Sequence, residues 1–249
     1  GGGNTLENFG SVVDLSNDGN TVLVGAPGDG TSSYKGYVKV YDYVSSAWTL
    51  RHTITASAES DVNFGKSVSL SSDGNRIGYV FDQETTTTYS QASIRDSVDG
   101  TLINPVDSNS DLVNFSEGRE LSGISMSYDG TQYGIRATSG SYDAVVKVSQ
   151  PIVNGWTKRG GIMSFSFPND PSFASNSKRD MSVSSDGNTI AFGWILSQIR
   201  VRVYGFSNGA WSTLNRSGGY DIYPGGSGNP IAISVDLSSD GMTLATLSS

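Results

Sequence analysis

The sequence predicts an all-β protein, a β-propeller whose four-stranded antiparallel blades take about 55 residues each. Three observations support this fold class: a repeated Ser-x-Asp-Gly turn, alternating apolar residues on both sides of it, and a third apolar run followed by tryptophan at a constant distance. A fixed period of this size is typical of propellers and other repeat architectures. The turn aspartates are spaced by 54 to 57 residues and are Asp18, Asp73, Asp129, Asp186 and Asp240.

The residues around each turn predict an antiparallel hairpin. In the first copy Val13 and Leu15 precede the turn with Asp14 and Ser16 as their polar alternates, and Val22 and Val24 follow it. Such period-two alternation is typical of a half-buried strand. Glycine accepts the positive φ of the turn, while the aspartate bonds local backbone N–H groups. We therefore interpret five pairs as structural turns: Asp18-Gly19, Asp73-Gly74, Asp129-Gly130, Asp186-Gly187 and Asp240-Gly241.

A third and a fourth strand complete the predicted blade. The third strand is a Val-rich run at 38–41, 146–148 and 201–204, and Trp48, Trp156 and Trp211 lie ten residues after its first valine. The constant offset predicts that these indoles pack within the blades. The second copy has only 92–95 as a third strand and no tryptophan. Four antiparallel strands per repeat describe a propeller blade.

We expect one propeller domain over residues 1–249, with repeat units at 8–62, 63–118, 119–175, 176–229 and 230–249. The last unit ends after its second strand, which leaves two alternatives open. It forms a two-stranded fifth blade that closes a small ring, or the chain is part of a larger ring such as a seven-bladed one. We favour the second alternative.

Composition excludes several classes of function. The 24 acidic and 16 basic residues give a formal charge of -8, which repels nucleic acid and anionic membranes. No apolar run reaches the roughly 18 residues of a membrane span, so we expect no membrane insertion. The chain has no cysteine and a single histidine, His52, so disulfides, thiol chemistry and multi-histidine metal sites are not expected.

Several motifs resemble a known repeat. Asn8-Phe9-Gly10, Gly25-Ala26-Pro27 and Gly36-Tyr37 resemble the FG-GAP repeat of integrin α-type propellers, and the second unit keeps Phe64-Gly65. The later units lack this pair, and 237–245 is similar to the hairpins of WD40 and TolB-type propellers. The resemblance implies a seven-bladed extracellular protein at a cell or virion surface, as in surface and fibre-like proteins of aquatic microbes and viruses, that binds protein or glycan.

FG-GAP blades often hold calcium in the loop of the first hairpin, so the resemblance makes Asp14, Asp18 and Asp236 the candidate ligands. A calcium loop needs oxygens at alternating positions and a closing acidic residue. Each loop here offers at most two carboxylates, and Val22 stands at the closing position of the first. We therefore expect structural turns, no metal and no cofactor.

Two segments depart from the repeat and are the predicted binding loops, because specificity tends to lie in such departures. Their aromatic residues are Phe165, Phe167 and Phe173 in 164–178, and Tyr220 and Tyr223 in 218–230. We expect a structural or recognition propeller that binds a protein or glycan through its loop rims, or neighbouring chains or domains of a larger assembly. No convergent catalytic set is visible, which predicts that the chain is not an enzyme. The alternatives are a carbohydrate-active glycoside hydrolase or lyase using Asp14 and Asp236, and a scaffold segment of a larger assembly.

Overall fold

A computed structural model describes residues 7–29, 33–56, 61–83, 89–101, 119–139, 143–152, 155–161, 163–166, 181–195, 199–214, 222 and 233–248. Within these ranges the regular structure is entirely β, which confirms the all-β prediction. No helix in the described part is long and apolar enough to cross a membrane. The strands are β1 (Val12–Leu15), β2 (Thr21–Ala26), β3 (Tyr37–Val44), β4 (Ala47–Thr55), β5 (Asp61–Leu70), β6 (Arg76–Gln83), β7 (Tyr89–Asp96), β8 (Arg119–Met126), β9 (Tyr133–Ser139), β10 (Asp143–Ile152), β11 (Gly155–Lys158), β12 (Met163–Ser166), β13 (Met181–Val183), β14 (Thr189–Ile195), β15 (Ile199–Ser207), β16 (Ala210–Thr213), β17 (Ile233–Leu237) and β18 (Leu244–Ser248).

The strands form successive antiparallel meanders. Blade 1 is β1-β2-β3-β4, and blade 4 is β13-β14-β15-β16. Blade 2 has three strands among the described residues, β5-β6-β7, which agrees with its weak third-strand pattern. Blade 3 is β8-β9-β10-β11, with β12 pairing as an additional strand on β10. The last element is a two-stranded sheet, hairpin 5, made of β17 and β18.

All five Asp-Gly turns have the same geometry, shown here for the second. The Ser71 hydroxyl donates to Asp73 Oδ1 at 2.6 Å and accepts the N–H of Arg76 at 2.9 Å. The N–H of Asn75 donates to the same carboxylate oxygen at 3.0 Å. Gly74 has φ 73°, and the five turn glycines span 62° to 73°, where glycine is favoured because it lacks a Cβ. The turn is thus a local hydrogen-bonded unit that the sequence specifies by itself.

Backbone hydrogen bonds join each turn to the next one along the arc. The N–H of Asn17 donates to the carbonyl of Ser72 at 2.9 Å, and that of Tyr128 donates to Ser185 at 2.9 Å. Bonds from Asp73 to Tyr128 and from Ser185 to Ser239 complete the series. The turns therefore occupy equivalent positions in successive sheets, as blades arranged around one axis require.

Apolar side chains fill the spaces between neighbouring sheets. Leu23, Val38 and Val40 of blade 1 pack against Ile77 and Tyr79 of blade 2, and all five are almost fully buried. Equivalent clusters lie between blades 2 and 3, around Ile94 and Ile135, and at the start of blade 4, around Ile190 and Phe192. At the last junction Val201 of blade 4 packs against Val235 and Leu244 of hairpin 5. Each sheet thus stabilises its neighbours through its broad faces.

Candidate functional site

Among the described residues no sheet packs on one face of blade 1, which we call the open face. The strand register puts Val13, Leu15, Tyr43, Trp48 and Leu50 on it. Val13 is 62% exposed and Leu15 53% exposed, whereas the residues at these two positions in blades 2, 3 and 4 are 5–7% exposed. Those residues face the preceding blade, so the open face consists of interface positions without a partner. Exposed apolar surfaces of this kind mark interaction sites.

An aromatic group extends along the outer strands of the open face. The rings of Tyr43 and Trp48 lie 5.3 Å apart at a tilted angle, and both residues are nearly half exposed. At the other end Phe9 contacts Tyr37, and Lys39 Nζ stands 4.8 Å from the centre of the Tyr37 ring. Such rings supply large apolar areas for protein contacts.

The Asn-Phe-Gly loop shows how an occupied face is built. In the second unit Phe64 is buried, and its N–H donates to the carbonyl of Lys35 in blade 1 at 2.9 Å. Gly65 lies so close to Gly25 that a Cβ on Gly25 would overlap the Gly65 carbonyl oxygen. A Cβ on Gly36 would come within 2.6 Å of the carbonyl oxygen of Phe64. Gly25 and Gly36 thus form a glycine socket on blade 1 that receives this loop.

The first copy of the loop has the same φ angles at its asparagine and its glycine, but no glycine socket receives it among the described residues. Asn8 and Asn63 both have φ 52°, and Gly10 and Gly65 both have φ 85°. Phe9 is nevertheless 47% exposed, and a Cβ on Gly10 would meet nothing within 4 Å. The Phe9-Gly10 loop is therefore exposed at the edge of the open face, although its asparagine and glycine have the φ angles of the buried copy.

A ladder of hydrogen bonds explains why serine or aspartate stands four residues before each turn aspartate. The oxygen of this side chain accepts a backbone N–H from the next unit, as in Leu70 to Asp14 Oδ2 at 2.7 Å. Ser69, Ser125 and Ser182 accept the equivalent N–H groups at 3.0 to 3.1 Å. In blade 1 the N–H of Leu15 donates to its own neighbour Asp14 at 2.8 Å instead.

The two ends of this ladder are both acidic. Burial raises the pKa of Asp14, and the nearby charge of Asp236 adds to the increase, although hydrogen bonds from Leu70 and Leu15 oppose it. Asp236 is exposed and accepts a hydrogen bond from the Ser182 hydroxyl at 3.0 Å. The charge of Asp236 therefore acts on the predicted acid Asp14, although burial is the main cause of its raised pKa.

Asp18 does not join this pair, because its carboxylate is used within its own turn. Hydrogen bonds from the Ser16 hydroxyl and from Asn20 lower the pKa of Asp18 to about 2. Among the described residues no group of three His, Cys, Asp or Glu side chains is placed to hold a metal ion. In the described part Asp14, Asp18 and Asp236 therefore do not come together as ligands for calcium.

The predicted aromatic binding loops are only partly described. Phe165 lies in β12, where its backbone pairs with Ala144 of β10. Phe167, Phe173, Tyr220 and Tyr223 lie outside the described residues. A role for these five residues in ligand binding stays a prediction.

Three arginines at different positions in the repeat make the same type of hydrogen bond between units. Arg51, Arg76 and Arg159 each donate to the carbonyl of the turn glycine in the following unit, at 2.7 to 3.2 Å. Arg51 lies in β4, Arg76 begins β6 and Arg159 follows β11, so their offsets within the repeat differ. The same guanidinium of Arg159 stacks 4.1 Å from the centre of the Phe206 ring. We call these residues the arginine clasps.

The tryptophans differ from one another despite their equal offsets. Trp211 is half-buried, and its Nε1 donates to the carbonyl of Arg159 in the preceding blade at 2.7 Å. Trp48 is 48% exposed and contacts Tyr43 of its own blade. The side chain of Trp156 lies outside the described part.

Comparison with known proteins identifies the fold. No protein-family model and no curated protein matches the chain. Solved structures of propeller proteins are similar: the periplasmic gluconolactonase PpgL of Pseudomonas aeruginosa matches with a TM-score of 0.56 at 18% identity, covering 95% of this chain and 64% of that one. KlAtg21, solved in complex with the coiled coil of AgAtg16, matches with a TM-score of 0.54 at 14% identity, covering 92% of this chain and 60% of that one. A candidate 6-phosphogluconolactonase from Bacteroides uniformis matches with a TM-score of 0.50 at 12% identity, covering 94% of this chain and 76% of that one.

These matches confirm the predicted propeller fold. The chain spans less than two thirds of the length of PpgL and of KlAtg21. The FG-GAP resemblance, and the number of blades in a complete ring, stay predictions.

The prediction that the chain is not an enzyme is wrong. It took the lack of a recognisable catalytic set as evidence against catalysis, but propellers of this fold include a gluconolactonase and a candidate 6-phosphogluconolactonase. The reason is physical: a propeller positions side chains from many blades around one axis, so residues distant in sequence can act together. A repeat pattern does not reveal such a set.

Proposed function

We propose that this chain is a β-propeller recognition module that binds a protein partner through the open face of blade 1. The observation that carries the proposal is the exposure of Val13 and Leu15 at positions that are buried in every following blade. Tyr43, Trp48 and Leu50 extend this apolar surface across the outer strands. A surface of aliphatic and aromatic side chains fits the apolar centre of a protein interface better than the polar surface of a glycan.

A displayed library of folded β-domains and a glycan array, both probed with the chain, test this proposal. We expect protein ligands whose binding is lost when Leu15→Asp and Trp48→Ala are combined. A control is Leu247→Asp, at an apolar position on hairpin 5 that is even more exposed than Leu15 and lies away from the open face. Recovery of glycan ligands alone, or of protein ligands that tolerate the double variant, would contradict the proposal.

A second candidate function is hydrolysis of a sugar lactone or glycoside at Asp14 and Asp236. The supporting observation is that burial raises the pKa of Asp14, because catalytic acids often depend on such a shift. The gluconolactonase among the structural neighbours gives the substrate class to try first. Turnover of a sugar lactone that is abolished in both Asp14→Asn and Asp236→Asn would support this candidate, and turnover retained in both would refute it.

A location outside the cytoplasm is part of the proposal. It is supported by the FG-GAP resemblance and by the neighbour named as periplasmic. Placement at a cell or virion surface follows from the resemblance alone, and immunogold labelling of intact cells or particles would test it.

A further inference from the structure

Three arginines lie at the interface between blades 3 and 4. Arg136 belongs to β9 of blade 3, and Arg200 and Arg202 belong to β15 of blade 4. Arg136 is fully buried, and its Nη1 donates a hydrogen bond to the carbonyl of Gly193 in blade 4. Its guanidinium carbon lies 5.9 Å from the centre of the Phe192 ring. A positive charge from blade 3 therefore reaches the facing sheet of blade 4.

The strand register places the other two arginines on the sheet face that Arg136 reaches. Phe192 packs in one buried cluster with Met163 of blade 3, so its side of blade 4 is the side turned towards blade 3. Residues directly opposite each other on antiparallel strands share a face and have Cβ atoms about 4.5–5.5 Å apart. Arg202 is the residue opposite Phe192, and Arg200 lies two residues before it on the same face. We call Arg136, Arg200 and Arg202 the arginine cluster.

The arginine cluster extends from one rim into the interface. Strand β14 starts just after the Asp186-Gly187 turn and runs away from it, so β15 begins at the opposite rim, with Arg200 as its second residue. Arg200 and Arg202 are half-buried, whereas Arg136 is fully buried. Nε of Arg200, and Nε and Nη2 of Arg136, are buried hydrogen-bond donors. A ligand that enters from this rim would meet Arg200 first and Arg136 last.

Two of these arginines depart from the repeat. At the position of Arg136 the other blades carry Gly25, Val80 and Gly193, and at the position of Arg200 they carry Tyr37, Gln91 and Val145. Blades 1, 2 and 4 therefore pack without arginine at the first position, and blades 1, 2 and 3 without it at the second. Local departures from the pattern of a fold are expected where a protein has a function beyond packing.

We propose that the arginine cluster binds the phosphate group of a small molecule. A guanidinium group has a planar set of donors that matches two oxygens of an oxyanion, and three such groups suit the several oxygens of a phosphate. A phosphate dianion also brings two negative charges to three positive ones, in a place where shielding from water strengthens their attraction. A carboxylate has one charge and two oxygens and would engage fewer of the donors. This site is separate from the open face and does not depend on the proposed function.

Titration calorimetry of the full chain with inorganic phosphate tests the proposal. The titration is run at about pH 8, where phosphate is mostly a dianion, and sodium chloride keeps the ionic strength constant. We expect one saturable site per chain. Phosphate should also raise the urea concentration at the midpoint of unfolding, because a ligand that binds only the folded chain stabilises it.

Two variants of the arginine cluster should weaken phosphate binding. Arg136→Met removes the charge but keeps an unbranched side chain, and Arg202→Gln changes a half-buried position, so it remains informative if the first variant does not fold. Each should raise the Kd for phosphate about tenfold or more, because each removes charged hydrogen-bond donors. Arg95→Met in blade 2 is the matched control: Arg95 lies 6.0 Å from the Tyr79 ring and donates to the carbonyl of Gly100. Its Kd should stay within about twofold of the parent value.

The remaining measurements decide between kinds of ligand. Acetate, titrated in the same way, should bind at least about tenfold more weakly than phosphate, and equal affinity would overturn the assignment to phosphate. Vesicles of phosphatidylcholine with phosphatidic acid should sediment no more of the chain than phosphatidylcholine alone. Sedimentation that depends on phosphatidic acid and is lost in Arg202→Gln would replace the small molecule with a lipid headgroup. Absence of saturable phosphate binding to the folded parent, or binding that both cluster variants retain, would overturn the site itself.

Discussion

Replacing Ser71 with alanine tests whether the repeated turn specifies the fold by itself. Ser71 is fully buried, and its hydroxyl both donates to Asp73 and accepts the N–H of Arg76. The variant loses a hydrogen bond to a carboxylate, which contributes about 1.5–3 kcal/mol, and leaves a shielded N–H without its acceptor, which costs about 1–3 kcal/mol. These effects overlap, so we expect the free energy of unfolding to fall by about 3 kcal/mol.

Ser238→Ala is the matched control, because its hydroxyl makes the same two bonds in hairpin 5, at 2.6 and 2.9 Å. This turn is exposed and water can replace the lost hydroxyl, so the expected loss is about 1 kcal/mol or less. Urea unfolding followed by tryptophan fluorescence and circular dichroism measures both values, and coincident transitions would show that they can be compared. Equal losses in the two variants, or a loss below about 1 kcal/mol for Ser71→Ala, would refute the reasoning.

Four further predictions use the same unfolding measurement. Arg159→Ala should lower the free energy of unfolding by about 2 kcal/mol. Arg159→Lys should recover less than half of this loss, because lysine lacks the planar guanidinium that donates hydrogen bonds and stacks on an aromatic ring at the same time. Full recovery by lysine would contradict the role proposed for the arginine clasp. Gly25→Val should cost about 3 kcal/mol or more through backbone overlap, whereas Gly161→Ala, which meets nothing within 4 Å, should change stability by less than about 0.5 kcal/mol. The turn aspartates have a folded pKa below the unfolded value, so their contribution to stability is present above about pH 4 and is lost as the pH falls through the folded pKa, which for Asp18 is about 2. Asp14 has a raised pKa and the opposite sign, so Asp14→Asn should gain stability relative to the parent as the pH rises from about 4 to 7, and a constant difference would exclude this effect.

The sequence predicts those parts of the fold that depend on neighbouring residues. The Ser-x-Asp-Gly turns are of this kind, because every bond that shapes them lies within six consecutive residues. Strand alternation is also local, and it correctly identifies the faces of blade 1. Gly25 is not explained by its neighbours in sequence. Its Gly-Ala-Pro motif can be recognised, but the need for glycine comes from the close approach of Gly65, forty residues away.

The contacts between blades were not predictable in the same way. Serine or aspartate recurs before each turn as a polar alternate, yet its partner N–H belongs to the next unit, as between Asp14 and Leu70. The arginine clasps occupy different positions within the repeat. Arg51, Arg76 and Arg159 nevertheless all donate to the carbonyl of a turn glycine, which they approach from different parts of the blade. Asp14 and Asp236 are far apart in the chain, and the charge of Asp236 raises the pKa of Asp14 only because the blades follow an arc.

The free energy that burial of the open face would contribute can be estimated from its two aliphatic residues. Complete burial of a valine or leucine side chain contributes about 1.5–3 kcal/mol, and Val13 and Leu15 are a little more than half exposed. Their burial against a partner would therefore contribute about 2 to 3 kcal/mol in total, before the larger areas of Tyr43 and Trp48 are counted. In a repeat array each unit is stabilised by its neighbours, and burial of the open face would give blade 1 contacts of the kind that blades 2, 3 and 4 make with the blade before them. A partner that covers this face would therefore stabilise blade 1 as it binds.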